Sequence, residues 1–352
     1  MGHRAITRIV WFCVAIILLY AAFFIWTDAR KNLGTLRAFP WGELPLILGA
    51  VLVNFLLREL KWEYFRRAGN ITVPRLGSFM VFFSGFSMSI SPARAGELIK
   101  PFMYKSYFNQ KMTKTVPLVF CERLSDALGM LLLAAVTLSW YLAEVSEVKQ
   151  TATVLENYSF AMRAFLIISV VVIAVCLLLA RNKRLVYGTL GRIARVKKLQ
   201  KIVTRLRHLY FSTYTLLTVK NLVITTLLAA LSWSFECYAL DRILHGVGAG
   251  DVSLPSATFV FCMATLVGGF LFFLPGGVGG FDAAYVALLG LLGLTTHQIV
   301  PSMFIVRIST LFFSVALGFV FILLTSLRYR RKFQWDAMES STMHEEAQPS
   351  TK

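Results

Sequence analysis

Apolar and polar positions along this chain fall into long blocks, not short alternations. Six mostly apolar stretches have the roughly 20-residue length a helix needs to cross a bilayer. They are about Ile9–Trp26, Leu44–Leu60, Val116–Leu142, Phe160–Ala180, Leu222–Leu244 and Ile299–Leu327. Two further apolar stretches break off early. Leu76–Ile90 runs for 15 residues before Ser91-Pro92, about 22 Å of helix at ~1.5 Å per residue, and Ser253–Leu274 runs into Pro275-Gly276-Gly277. The first is too short for a hydrocarbon core of about 30 Å, and Arg94, Glu97 and Lys100 follow it. The pattern predicts a re-entrant hairpin that dips into the membrane, breaks at Pro92 and returns to the side it left.

The two broken stretches belong to an internal repeat. Val116-Pro117-x-x-Phe120-x-x-Arg123-Leu124-Ser125 returns as Val300-Pro301-x-x-Phe304-x-x-Arg307-Ile308-Ser309, 184 residues further on. Upstream, Pro92-x-x-x-Gly96-Glu97 is echoed by Pro275-x-x-x-Gly279, 183 residues further on. Each copy places an arginine inside an apolar run. Repeats interrupted by Pro and Gly at matching positions mark transporter folds whose substrate site lies at the repeat interface.

Composition agrees. Hydrophobic residues make up 57% of the 352 and charged residues 15%, with a mean hydropathy of +0.66. Soluble domains carry about 25% charge, so the chain reads as an all-α integral membrane protein. The formal charge of +18 sits in short loops beside apolar runs, which suits orientation and anionic-lipid contact and not nucleic acid. With a re-entrant first copy, residues 1–8, 58–75, 92–115, 181–220 and 328–352 share one side and hold 28 of the 36 Lys and Arg. A full crossing by Leu76–Ile90 would put the eleven basic residues of 181–220 outside, against the positive-inside rule. Both termini are therefore expected in the cytoplasm, with the protein in the inner (cytoplasmic) membrane. Charge parity does not decide whether 253–274 is re-entrant or spanning. The repeat favours a hairpin entering from outside, which makes the repeat inverted.

This gives one polytopic domain over residues 1–335, with repeat halves at about 76–142 and 253–327. A retained N-terminal span opens it, and a basic amphipathic helix over 185–210 lies on the cytoplasmic face, with Ile202, Leu206 and Leu209 between Lys201, Arg205 and Arg207. The polar tail 336–352 has a disordered composition. Cys13, Cys121, Cys176, Cys237 and Cys262 lack paired spacing and read as buried apolar residues. Trp26, Trp41, Trp62, Trp140 and Tyr141 suit interfacial belts.

Ionisable groups inside spans are costly and face a cavity or a partner. Glu122-Arg123-Leu124-Ser125-Asp126 carries three of them, and Glu122 and Asp126, four apart, flank the Arg123 side. The carboxylates can neutralise Arg123 and lock helices together, or leave its fork to a lipid phosphate. Arg307 has no carboxylate within four residues; its counter-charge is a substrate anion, or Glu97, Glu236 or Asp282. Arg94 and Lys100 are placed at the cytoplasmic mouth. The glycine breaks, with Gly276, Gly277 and Gly279, can turn backbone N–H groups toward an anion or serve only tight turns. Glu236 is either a protonated structural carboxylate or a proton-coupling site, and Asp241-Arg242 reads as a local pair.

Three motifs in order carry a family resemblance: Arg94-x-Gly96-Glu97 with Pro101, Glu122-Arg123-x-x-Asp126, and Pro275-Gly276-Gly277-x-Gly279. From about residue 5 to 330 the chain resembles the flippase-like membrane-domain family, typified by the transmembrane half of the lysylphosphatidylglycerol synthase/flippase (multiple peptide resistance factor). The resemblance implies translocation of charged or glycosylated lipids between leaflets, with these motifs near the lipid path. Relatives commonly carry glutamate where this chain has Asp282, and the soluble aminoacyl-transfer domain is not expected here. This makes lysylphosphatidylglycerol a poor candidate substrate.

The expected function is therefore a flippase for an anionic-headgroup or lipid-linked substrate, not an enzyme, with no cofactor and no metal. Membrane lipids are the expected partners. Arg94, Glu97, Arg123, Arg307, Gly276, Gly277 and Gly279 are the expected substrate contacts; Glu122, Asp126, Glu236 and Asp282 are the expected coupling or ion-pair groups. The chain has no G-x-x-x-x-G-K-[ST] phosphate loop, so transport would be passive or ion-driven. The alternatives are an intramembrane lipid-modifying transferase, and a non-transporting subunit that assists a lipid synthase.

Overall fold

The computed structural model describes residues 29–89, 97–148, 152–194, 200–270 and 279–329, and no strand occurs among them. The predicted span Ile9–Trp26 and the tail 336–352 lie outside the described residues. Two helices open the described chain: α1 (Ala29–Ala38) and α2 (Leu44–Ala68). They meet at a 60° bend and together are long and apolar enough for one span. Pro45 stands in the first turn of α2, where its missing N–H costs nothing.

Next comes α3 (Arg75–Ser84), extended by a 3₁₀ turn over Gly85–Met88. After the undescribed break, α4 (Ile99–Phe108) follows and ends at Asn109 in the left-handed conformation (φ 54°). The long α5 (Met112–Val148) follows, then α6 (Ala152–Arg181). The basic stretch forms α7 (Lys183–Ile193) and α8 (Gln200–Leu216). The single amphipathic helix expected over 185–210 is thus two helices with a turn at Ala194. Gly188 and Gly191 weaken the end of α7, while α8 packs onto α5. Ile202 and Leu206 are exposed and Val203 is buried, so α8 carries one outward and one inward apolar stripe.

The remaining helices are α9 (Val219–Gly246), α10 (Leu254–Phe270), α11 (Gly280–Leu291), α12 (Thr296–Arg307) and α13 (Phe313–Tyr329). Thr218 caps α9 by accepting from the Asn221 N–H at 3.2 Å. Gln298 accepts from the Thr295 N–H at 3.0 Å at the start of α12. A π turn over Ile308–Phe312 joins α12 to α13. There the Ser309 and Thr310 hydroxyls donate back to the Ile305 and Val306 carbonyls, at 2.9 and 2.7 Å, which bends a helix by competing with its own ladder.

Among the described residues, four segments are long and apolar enough to cross a membrane unaided: Met112–Val148, Tyr158–Leu179, Val219–Gly246 and Thr296–Tyr329. All four coincide with predicted spans. Around the core, α2 packs on α9, α9 on α5, and α5 on α10. The order short helix, break, short helix, long helix occurs twice, with Pro117 and Pro301 near the starts of the long helices. Packing between the copies is reciprocal: α5 lies on α10, and α13 lies on α3 with its 3₁₀ turn. Each copy's long helix therefore covers the other's first short helix.

Several expectations about single residues change. Trp62 and Tyr141 are buried, not interfacial. The Trp62 indole N–H donates to the Tyr104 hydroxyl at 3.0 Å, and the Tyr141 hydroxyl to the Leu288 carbonyl at 2.9 Å. Cys121, Cys237 and Cys262 are buried as expected, but Cys176 is exposed on α6, whose outward face is almost wholly apolar. Arg242 pairs with Glu43 at 3.2 Å and not with Asp241, which lies near His245 at 3.7 Å. Both side chains of the Arg242–Glu43 pair are 31% exposed, so Arg242→Ala is expected to cost less than about 1 kcal/mol, as measured by unfolding in detergent.

Candidate functional site

The site begins on α5, where Glu122 and Asp126 face α2. Arg123 reaches Glu122 Oε1 at 2.7 Å, Asp126 Oδ2 at 2.9 Å and Glu97 Oε2 at 3.1 Å. The two carboxylates thus flank Arg123 as their spacing predicted, and Glu97 arrives from beyond the first break to complete the ring. Their oxygens also serve cations from other helices. Lys100 on α4 donates to Glu122 Oε2 at 2.7 Å, and Lys61 on α2 donates to Asp126 Oδ1. The Trp233 indole N–H on α9 donates to that same oxygen at 3.1 Å. One carboxylate pair therefore ties together α2, α4, α5 and α9.

Lys100 does not stand at a mouth. It is 1% exposed, with its ammonium 4.8 Å from the Trp62 ring centroid and 4.6 Å from that of Phe82. Its stem lies along Gly85, where an added Cβ would stand 2.5 Å from Lys100 Cε. Ring faces and Glu122 together compensate a buried ammonium better than either alone.

Arg58 and Lys61 belong to this charge cluster, although the sequence pattern places them in a basic loop. The apolar run was ended at Leu60, but α2 continues to Ala68, and Lys61 is 0% and Arg58 7% exposed. A signal existed. Phe55, Trp62 and Phe65 continue the inward stripe through the charges, and Gly69 supplies the stop. Arg58, Lys61 and Lys100 are thus buried among helices and do not stand in polar loops.

In the second copy, Arg307 ends α12 against Asp282. Its Nε and Nη2 donate to Asp282 Oδ1 at 3.0 and 2.7 Å, and its guanidinium lies 4.3 Å from the Phe281 ring centroid. The other Asp282 oxygen, Oδ2, accepts the Gly279 N–H at 2.9 Å. Asp282 therefore caps α11 and holds Arg307 at once. Gly279 has φ 90°, a conformation that favours glycine, so its place in the motif follows from the turn into α11.

These two halves face one cavity of about 130 Å³. Glu97, Arg123, Glu236 and Arg307 line it, as do Arg58, Lys100, Phe86 and Trp233. Of the predicted site residues, those first four share the cavity, Glu122 and Asp126 lie directly behind it, and Asp282 positions Arg307. Arg94, Gly276 and Gly277 lie outside the described residues.

A family model described as the lysylphosphatidylglycerol synthase TM region matches residues 10–318. The chain belongs to that family. The match takes in the first copy of the repeat, the second as far as residue 318, and every side chain placed on the cavity wall. The lysylphosphatidylglycerol synthase TM region is associated with lipid translocation, and a cavity with a guanidinium from each copy suits that association. No individual curated protein matches the chain.

Proposed function

We propose that this chain translocates a lipid with an anionic, phosphate-bearing headgroup, or a lipid-linked substrate, across the cytoplasmic membrane. The observation that carries the reading is the shared cavity: Arg123 from the first copy and Arg307 from the second line it together with Glu97 and Glu236. A planar guanidinium pairs bidentately with phosphate, and a site at the repeat interface is where alternating access puts a substrate. The finer topology belongs to this proposal. The interrupted copies are re-entrant hairpins, six further helices span the membrane, both termini are cytoplasmic, and the repeat is inverted. The reciprocal packing of each long helix on the other copy's first short helix supports an internal two-fold relation. The protein moves its substrate without chemical change, driven passively or by an ion gradient, with Glu97, Glu236 and Asp282 as proton carriers.

The test is leaflet exchange in proteoliposomes containing anionic or zwitterionic lipids with fluorescent headgroups, read by dithionite quenching. Wild type is expected to exchange the anionic lipid, and Arg123→Ala and Arg307→Ala to slow it at least about 10-fold, the loss of one charge-assisted hydrogen bond. Arg307→Lys, which keeps the charge beside Asp282, is expected to fall between. Exchange unchanged in both alanine variants would sink the central cationic site. Full function of Arg307→Ala in cells, without exchange in vitro, would favour a subunit serving a lipid synthase.

A further inference from the structure

Four cations meet three carboxylates at and behind the cavity wall, and the shortest contacts of those carboxylates go to cations other than Arg58. Glu122 serves Arg123 and Lys100, each at 2.7 Å. Asp126 serves Lys61 and Trp233, with Arg123 at 2.9 Å, and Glu97 faces Arg123 at 3.1 Å. Arg58 keeps ion pairs of 3.6 Å to Glu122 and 3.9 Å to Asp126, both longer than a hydrogen bond. Its buried Nε has no hydrogen-bond partner among the described residues. Glu236 also lines the cavity, but no ion pair joins it to Arg58 among the described residues.

The Arg58 guanidinium is nevertheless fixed in place. It lies 5.4 Å from the Phe86 ring centroid and 5.3 Å from that of Trp233, and all three side chains line the cavity. Flanking rings orient the plane of a guanidinium without using its N–H groups. A buried guanidinium whose ion pairs are longer than hydrogen bonds is costly, and an acceptor reaching its fork from the cavity lowers that cost. Arg123 and Arg307 hold their carboxylates more closely, at 2.7 Å each.

We propose that Arg58 is the primary phosphate-binding residue of the cavity, docking a phosphate oxyanion between the Phe86 and Trp233 rings. The phosphate comes from a lipid headgroup or from free phosphate. The lipid source rests on the translocator reading; the contact itself does not.

The experiment uses the full chain in a nonionic detergent. Its thermal unfolding midpoint is titrated with inorganic phosphate, with glycerol phosphate, and with a short-chain phosphatidylglycerol, for wild type, Arg58→Gln and Arg58→Lys. Wild type is expected to show a saturable rise in midpoint with the lipid. Arg58→Gln should weaken that binding by about 10–100-fold, the loss of charge-assisted hydrogen bonds, and Arg58→Lys should be intermediate because it keeps the charge but not the fork. Without ligand, Arg58→Gln is expected to unfold no earlier than wild type, since it leaves three cations to three carboxylates; a merely structural arginine would lower the midpoint. Wild-type affinity in Arg58→Gln, or no stabilisation of wild type by any of the three ligands, overturns the proposal. Inorganic phosphate binding through Arg58 as tightly as the lipid keeps the contact and sinks the lipid source. Lipid exchange in proteoliposomes that persists while Arg58→Gln binds normally sinks Arg58 alone.

Discussion

Asp126→Ala is expected to destabilise the protein by about 3–5 kcal/mol, the cost of breaking a buried ion pair from one side. Asp126 is 2% exposed and accepts from both Lys61 and the Trp233 indole. With the carboxylate gone, Lys61, 0% exposed, retains only a 3.4 Å contact to the Glu122 carbonyl. The Trp233 indole N–H loses its acceptor too, and Arg123 loses one of three counter-charges. The comparison that separates charge from packing is the double variant Lys61→Met/Asp126→Leu. Removing both partners together leaves no orphaned charge, so most of the loss should be recovered. Unfolding by a denaturing detergent, followed by tryptophan fluorescence, checks both. An Asp126→Ala protein within about 0.5 kcal/mol of wild type would mean that Lys61 finds another partner and that the network is not cooperative.

The spans were legible because an apolar block of bilayer length has few other readings, and Glu122, Arg123 and Asp126 stood out because charge inside such a block is conspicuous. The pairing of Arg307 with Asp282 was legible only as one of four options, a substrate anion among them. The residues lie 25 apart in sequence, and only the fold of α11 against α12 selects between Asp282, Glu97 and Glu236. Arg58, Lys61 and Lys100 were misread for a different reason. A stretch such as Arg58-Glu59-Leu60-Lys61-Trp62-Glu63 looks like the polar end of a span, and local pattern does not report whether another helix will bring carboxylates to meet it. Here Glu122 and Asp126, more than 60 positions away from Arg58, make burial possible. One tryptophan departs for the same reason: Trp62 sits near a predicted span end yet is buried against Phe82 and Tyr104.

Gly318→Ala is expected to destabilise by about 3 kcal/mol, the upper part of the range for overpacking, and to slow lipid exchange as well. A Cβ at Gly318 would stand 2.7 Å from Phe86 C and 2.7 Å from Ser87 Cα. Those are backbone atoms of the 3₁₀ turn over Gly85–Met88, so no side-chain rotation relieves the clash. Either α13 or that turn must move. The turn is hemmed in on its far side, where the Lys100 stem lies against Gly85 and holds its ammonium on Glu122. A shift of the turn therefore carries Phe86 along the cavity wall, changes its contact with Arg58 and disturbs the Lys100–Glu122 pair. The matched control is Gly290→Ala, also in a helix, where an added Cβ meets nothing within 4 Å and the change should be neutral or stabilising by up to about 1 kcal/mol. If both substitutions leave stability and exchange rate alike, the close approach of α13 to the 3₁₀ turn is not a fixed feature of the working protein. If Gly318→Ala alone slows exchange while a variant of the lipid-facing α6 does not, the interlock between the two copies sets the geometry of the cavity.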